Sequence, residues 1–253
     1  MKVDKVSSYI VFPNAPITEA LLDIRAQLPR EIDLKKLEVF HENIKPRFPD
    51  KKQRISFEAG FHLSPEKPPV PLPPAGGPYG HLFSSPDEKK VVQARLDGFT
   101  FNKLKPYENW ERFFSEAQEL WAYYLEIAKP EKVTRIALRY INRIEIPLPI
   151  KDFKEYILTV PEIAPNLPQG IARLFMQISI PNSEIQATAI ITEAMENITA
   201  IQKLPFIFDI DVFQEILCSA NAPEIWERFK KLRVFKNDIF FNSITEKTKE
   251  LFK

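Results

Sequence analysis

Twenty-three prolines punctuate this chain of 253 residues, against only six glycines. A proline has a locked φ and no backbone N–H, so it ends helices and is confined to the ends, edges and bulges of strands. Regular elements must therefore be fitted between the prolines. Seven of them fall in positions 65–78 (PEKPPVPLPPAGGP), which reads as a stiff, exposed loop barred from a sheet interior or a helix. Gly76, Gly77 and Gly80 lie in or beside that stretch. The chain has no G-x-G-x-x-G, no G-x-x-x-x-G-K-[ST] and no G-x-S-x-G, so dinucleotide, P-loop and α/β-hydrolase readings have no support.

Between the prolines, hydrophobic periodicity predicts an ordered series of elements. Residues 17–28 (ITEALLDIRAQL) read as a strand ending at Pro29, with Glu19, Leu21, Asp23 and Arg25 on one face. Asp33 is placed to cap a helix carrying Leu34, Leu37, Phe40, His41 and Ile44, stopped near Pro46. Strands follow at 54–63, 79–84 and 91–104, with Gly98 as a bulge in the last. Asn109 caps a helix whose Trp110, Phe113, Phe114, Ala117, Leu120, Trp121, Tyr124 and Leu125 form one apolar stripe, ended by Pro130. The order then begins again: a strand at 133–146 ended by Pro147, a short helix at 152–158, strands at 173–180, 184–192 and 198–211, and a long helix at 222–235.

Both halves thus read β-α-β-β-β-α, and Trp110-Glu-Arg-Phe113 recurs as Trp226-Glu-Arg-Phe229. The expected fold class is α+β. It consists of two similar halves, 1–130 and 131–253, about a pseudo-twofold axis, with a mainly antiparallel sheet and its helices on one face. One irregular α+β domain is the alternative.

Composition narrows the functions. The formal charge is +1, which argues against general nucleic-acid binding through many phosphate contacts. A single cysteine, Cys218, excludes a disulfide framework within the chain. No run of about 18 apolar residues spans a membrane, and residues 1–13 lack a signal peptide's apolar core, so a cytoplasmic location is expected. His41, His62 and His81 show no metal-ligand spacing, so neither a metal nor a cofactor is expected. Pro49-Asp50 and Glu88-Lys89-Lys90 match a metal-nuclease pattern in letters, but Glu88 sits in a turn-like SSPDEKK. No catalytic constellation emerges.

Three segments carry a resemblance. Ala15-Pro-Ile-Thr-Glu-Ala-Leu-Leu-Asp-Ile-Arg25, Arg135-Ile-Ala-Leu-Arg-Tyr-Ile-Asn-Arg-Ile144 and Lys236-Asn-Asp-Ile-Phe-Phe-Asn-Ser-Ile-Thr245 resemble the opening, central and C-terminal motifs of a sporadically distributed prokaryotic protein family. The resemblance implies no particular activity. The family's patchy distribution implies genes that move between genomes, as toxin–antitoxin and phage-defence components do.

The strand at 133–146 is the least ordinary segment. Alternation puts Arg135, Arg139 and Arg143 on one face, with about 13 Å between successive members. Asn142 falls on the opposite, apolar face, where it needs partners if buried. Two readings stay open for the arginines: a row that binds a partner or an anion, or ion pairs within the fold. Glu19 and Asp23 are their natural partners if the two first strands of the halves lie close. Near the C-terminus, Phe235, Ile239, Phe240 and Phe241 are candidates for a homodimer interface, with Ser243 or Thr245 capping a further short helix. The expected function is a non-catalytic binding protein, the partner of a toxin or defence effector. The alternatives are a small-molecule-binding protein or an enzyme with a dispersed Arg/Asp/Glu/Tyr site.

Overall fold

Nine strands form one antiparallel sheet in a computed structural model that describes residues 9–58, 61–64, 67–71, 75–197 and 202–253. They are β1 (Ile17–Gln27), β2 (Asp50–Glu58), β5 (Ala75–Ser84), β6 (Lys90–Arg95), β7 (Gly98–Leu104), β8 (Lys132–Pro147), β9 (Phe175–Asn182), β10 (Ala187–Met195) and β11 (Lys203–Ser219). Across the sheet the order is β2-β5-β6-β7-β1-β8-β11-β10-β9. A separate ribbon pairs β3 (Phe61–Ser64) with β4 (Lys67–Pro71). The helices are α1 (Leu34–Glu38), α2 (Phe40–Ile44), α3 (Trp110–Ala128), α4 (Glu224–Ser243) and α5 (Glu246–Glu250).

Register aligns the apolar side chains of neighbouring strands. Phe101, Leu22, Leu138 and Val212 sit abreast across β7, β1, β8 and β11, and Ala20, Tyr140 and Ile210 form another such row beside Lys103 of β7. Helices rest on this face. Phe113 of α3 stacks on Phe101 at 5.4 Å, Phe240 of α4 on Phe208 at 6.1 Å, and Phe40 of α2 lies 5.6 Å from Phe83 of β5. One covered face and one polar face is the usual condition of an antiparallel sheet.

The helix starts are where their capping residues put them. Asp33 accepts from the Lys36 N–H at 2.8 Å and Asn109 from the Arg112 N–H at 2.9 Å, each satisfying a donor with no partner in its helix. Thr245, rather than Ser243, caps α5, accepting from the Thr248 N–H at 3.2 Å. Lys129 ends α3 in the left-handed region (φ 44°), just before Pro130.

Several expectations need correction. The single strand at 91–104 is a hairpin, β6 and β7 around a Leu96-Asp97 turn. Gly98 opens β7 at φ 140°, and a Cβ there would lie 2.0 Å from the Ile24 carbonyl oxygen, so only glycine lets β7 approach β1. Asp-Gly between alternating apolar runs is itself a hairpin signal. The helix at 34–44 is two short ones meeting at Val39, and that at 152–158 shrinks to one 3-10 turn, Phe153–Glu155. The last core helix runs on to Ser243.

The proline-rich stretch also departs from the loop reading, since Lys67–Pro71 pairs in the ribbon and Pro78 lies within β5. Pro78 pairs with Ile55 of β2 beside a register shift, a bulge of the kind in which a strand tolerates proline. Residues 65, 66 and 72–74 of the stretch, expected as part of the exposed loop, lie outside the described residues.

Candidate functional site

The arginine row is internally paired. Arg139 grips Asp209 of β11 with both arms of its fork, Nε to Oδ1 at 2.9 Å and Nη2 to Oδ2 at 2.5 Å. Arg143 meets Glu145 and, at 2.5 Å, Glu196. Arg135 lies 3.6 Å from each of Asp23, Asp211 and Glu215, and 4.4 Å over the Phe213 ring. Glu19 accepts from the Asn102 amide at 2.6 Å instead of meeting an arginine. Asp23 joins the network chiefly through Arg95. Burial works to raise its carboxyl, but the Arg95 charge, the Thr100 hydroxyl and Arg25 outweigh it and hold Asp23 below the usual carboxylate range.

The internal pairs predict a stability cost for removing each arginine. Arg139→Ala leaves the buried Asp209 carboxylate without its cation and is expected to cost about 1–3 kcal/mol. Arg143→Ala, on a more open pair, is expected to cost about 0–1 kcal/mol. Urea unfolding of the two variants measures both, and equal losses contradict the assignment.

On the covered face, the three motif segments converge. A cavity of about 140 Å³ lies between the chain entering β1 (Ala15, Pro16, Ile17), β8 (Tyr140, Asn142), the start of α3 (Tyr107 to Glu111) and α4 (Arg233, Lys236, Asn237, Phe240, Phe241). Helical spacing explains the α4 contribution, since Arg233, Lys236, Asn237 and Phe240 share one face at i, i+3, i+4 and i+7. Strand alternation places Tyr140 and Asn142 together on β8. Residues 9–12 form the last wall, with Tyr9 stacked on Phe241 at 5.2 Å and donating to Asp238 at 2.6 Å.

Lys236 dominates the chemistry of this cavity. It is 9 % exposed, and its Nζ lies 3.9 Å from the centroid of the Tyr140 ring. Among the described residues, no carboxylate pairs with it. Burial, reinforced by the like charge of Arg233, lowers its ammonium to a pKa of about 7. The Tyr107 and Tyr140 hydroxyls bond each other at 2.8 Å, and burial pushes both phenols up. Asn142 donates to the Phe208 carbonyl at 3.0 Å. Its Oδ1 and the Asn237 amide have no hydrogen bond among the described residues, although both residues are buried and line the cavity.

The other candidates have structural neighbours. Phe240 is buried against Phe208, Phe241 stacks on Tyr9, and Phe235 and Ile239, each partly exposed, pack on the core. His41 and His81 bond the Phe48 and Leu34 carbonyls, each at 2.9 Å. Among the described residues, no group of three or more His, Cys, Asp and Glu is placed to hold a metal ion, and no helix is long and apolar enough to cross a membrane. A wider groove of about 1170 Å³ runs along 148–172, but no cluster of unpaired ionisable groups converges there.

Fold and cavity together define an α+β protein with one helix-covered sheet and a small polar-tipped site between sheet and helices. The chain matches no known protein family, no curated protein and no solved structure. The resemblance drawn from the three motifs is carried by those residues alone. Of the residues that line the cavity, the sequence singles out Asn142, Phe240 and Phe241 as candidates, but not Lys236, Tyr107, Asn237 or Arg233. The missed signal was that all three motif segments share one neighbourhood.

Proposed function

We propose that this chain is a non-catalytic binding protein whose ligand is a small molecule seated in the cavity at Lys236. The observation that carries this reading is the convergence of five chain segments on one small space with a buried amine that has no carboxylate partner, the Asn237 amide and the free Oδ1 of Asn142, both without a hydrogen bond among the described residues. Specific sites have this composition, apolar walls with a few placed polar groups. The volume is comparable to the roughly 150 Å³ of an engineered cavity that admits benzene. Ligand-observed NMR against a mixed set of small acids, amides and sugars tests it. Binders are expected that a cavity-filling Ala15→Trp variant no longer holds, at unchanged melting; binders indifferent to that variant overturn the reading.

A toxin or phage-defence effector as protein partner rests on the resemblance, and the arginine row that suggested a docking surface is spent on carboxylates of its own chain. We further read the chain as two β-α-β-β-β-α halves, 1–130 and 131–253, about a pseudo-twofold axis between β1 and β8, with the hairpin β6–β7 replacing one strand. Supporting this, the strands run outward from that central pair in reverse chain order on both sides, β7-β6-β5 and β11-β10-β9. Superposing 17–128 on 134–242 is expected to match α3 with α4, and a mismatch of those helices refutes the repeat. On this reading the cavity lies at the seam between the halves.

A further inference from the structure

We infer that the ligand is a small organic monoanion, a carboxylate on a compact apolar body, which Lys236 pairs with in the cavity. This rests on the cavity being a ligand site. The argument begins with an imbalance of charge. Lys236 is more than nine-tenths buried and lacks a carboxylate partner among the described residues. The groups facing it from each surrounding element do not supply one. From α4 comes Arg233, a second cation; from β8 and the chain before α3 come the neutral phenols of Tyr140 and Tyr107. The nearby acids are engaged elsewhere: Glu108 with Lys103 at 3.3 Å, Glu111 with Arg233 at 3.8 Å, and Asp238 with the Tyr9 hydroxyl.

An incoming carboxylate supplies the missing counter-charge, and the Asn237 amide offers it a donor. Aromatic walls, Trp110 and Phe240 among them, suit an apolar body, and the volume limits that body to about one ring. A neutral ligand would leave the amine uncompensated. A dication would meet two cations.

Pairing also couples binding to a proton. In the empty cavity burial and Arg233 hold the amine near half-charged at neutral pH. A bound carboxylate favours the ammonium, so above neutrality the protein must take up a proton as the ligand enters. Affinity should therefore fall about tenfold per pH unit above roughly pH 7, until the ordinary range of lysine is reached.

Calorimetric titration of the full chain with benzoate, and with its neutral isostere benzamide, tests the inference. Benzoate is expected to bind at least tenfold more tightly than benzamide at pH 7, to weaken between about pH 7 and 9, and to take up a proton measurable by comparing two buffers. Lys236→Met is expected to lose the preference for benzoate while keeping a cooperative melting transition. Benzamide binding as tightly as benzoate, or benzoate binding unchanged with pH, overturns the inference on the wild-type protein alone. Should benzamide bind wild type but not Ala15→Trp while benzoate fails, the cavity stands as a ligand site and the anion does not. Should neither bind, the anion inference falls and the Ala15→Trp comparison on other binders decides the cavity.

Discussion

Replacing Glu193 by Met is expected to raise stability by about 3 kcal/mol at pH 7 and to remove a pH dependence that the wild-type protein shows between about pH 4.5 and 8. Glu193 lies on β10 opposite Phe208, on the helix-covered face, with no exposed surface and no hydrogen bond to either carboxylate oxygen. Burial alone pushes its carboxyl up to about 8. The folded state therefore holds a proton that the unfolded chain has released. Stability is full below the ordinary glutamate range and declines as pH rises, until the folded group itself ionises near pH 8.

Lys236 acts in the opposite sense. Its folded value of about 7 lies below the ordinary lysine range, so stability in the absence of ligand recovers as pH rises from about 7 towards 10.5. The wild-type curve is expected to have a minimum between about pH 7 and 8. Glu193→Met removes its acid limb and Lys236→Met its alkaline limb. Urea unfolding at a series of pH values measures both, and a wild-type curve that climbs from pH 5 to 7 contradicts the assignment for Glu193.

Arg95→Ala is expected to cost about 3–5 kcal/mol, the loss typical of breaking a buried pair from one side. The Arg95 side chain is 3 % exposed and bonds Asp23 at 2.9 Å and Asp97 at 2.8 Å. Glycines on both flanking strands, Gly80 and Gly98, stand opposite it, and a Cβ on Gly80 would approach the Arg95 Cγ to 3.0 Å. Without Arg95, the half-buried Asp23 keeps Thr100, Arg25 and the more distant Arg135. Asp23 titrates below its ordinary value in the intact network, so its contribution is present at neutral pH and lost as pH falls through that lowered value. Thermal melting at pH 7 and pH 3 checks this: the gap between wild type and variant should narrow in acid. A loss under about 1 kcal/mol at pH 7 would place the weight of the network on Arg25 and Arg135 instead.

Much of the local structure was legible because its causes are local. Asp33, Asn109 and Thr245 cap helices through their own side chains within three residues. Alternation at 133–146 told apart the arginine face from the Ile136–Leu138–Tyr140 face, since side-chain direction on a strand follows from the backbone alone. Antiparallel pairing within β5-β6-β7 and β9-β10-β11 followed from short connections between those strands. The hairpin at 90–104 has its own local signal in Asp97-Gly98, which competes with the bulge reading of Gly98.

Which groups meet was settled only by the fold. Nothing local tells Glu193 from the outward-facing polar residues of other strands; β11 and the covering layer bury it, from positions distant in the chain. Asp209 and Asp211, more than 60 residues from Arg139, decide that the arginine row is internally paired. Lys236 reads in sequence as one lysine among many on a helix. It becomes a partly uncharged amine because β8, the chain before β1 and the start of α3 close around it. The sequence by itself determined the long elements, their caps and their faces, which depend on interactions a few residues long. Tertiary structure decided burial and charge pairing, since the cost of a buried charge depends on every group within a few ångströms, whatever its distance along the chain.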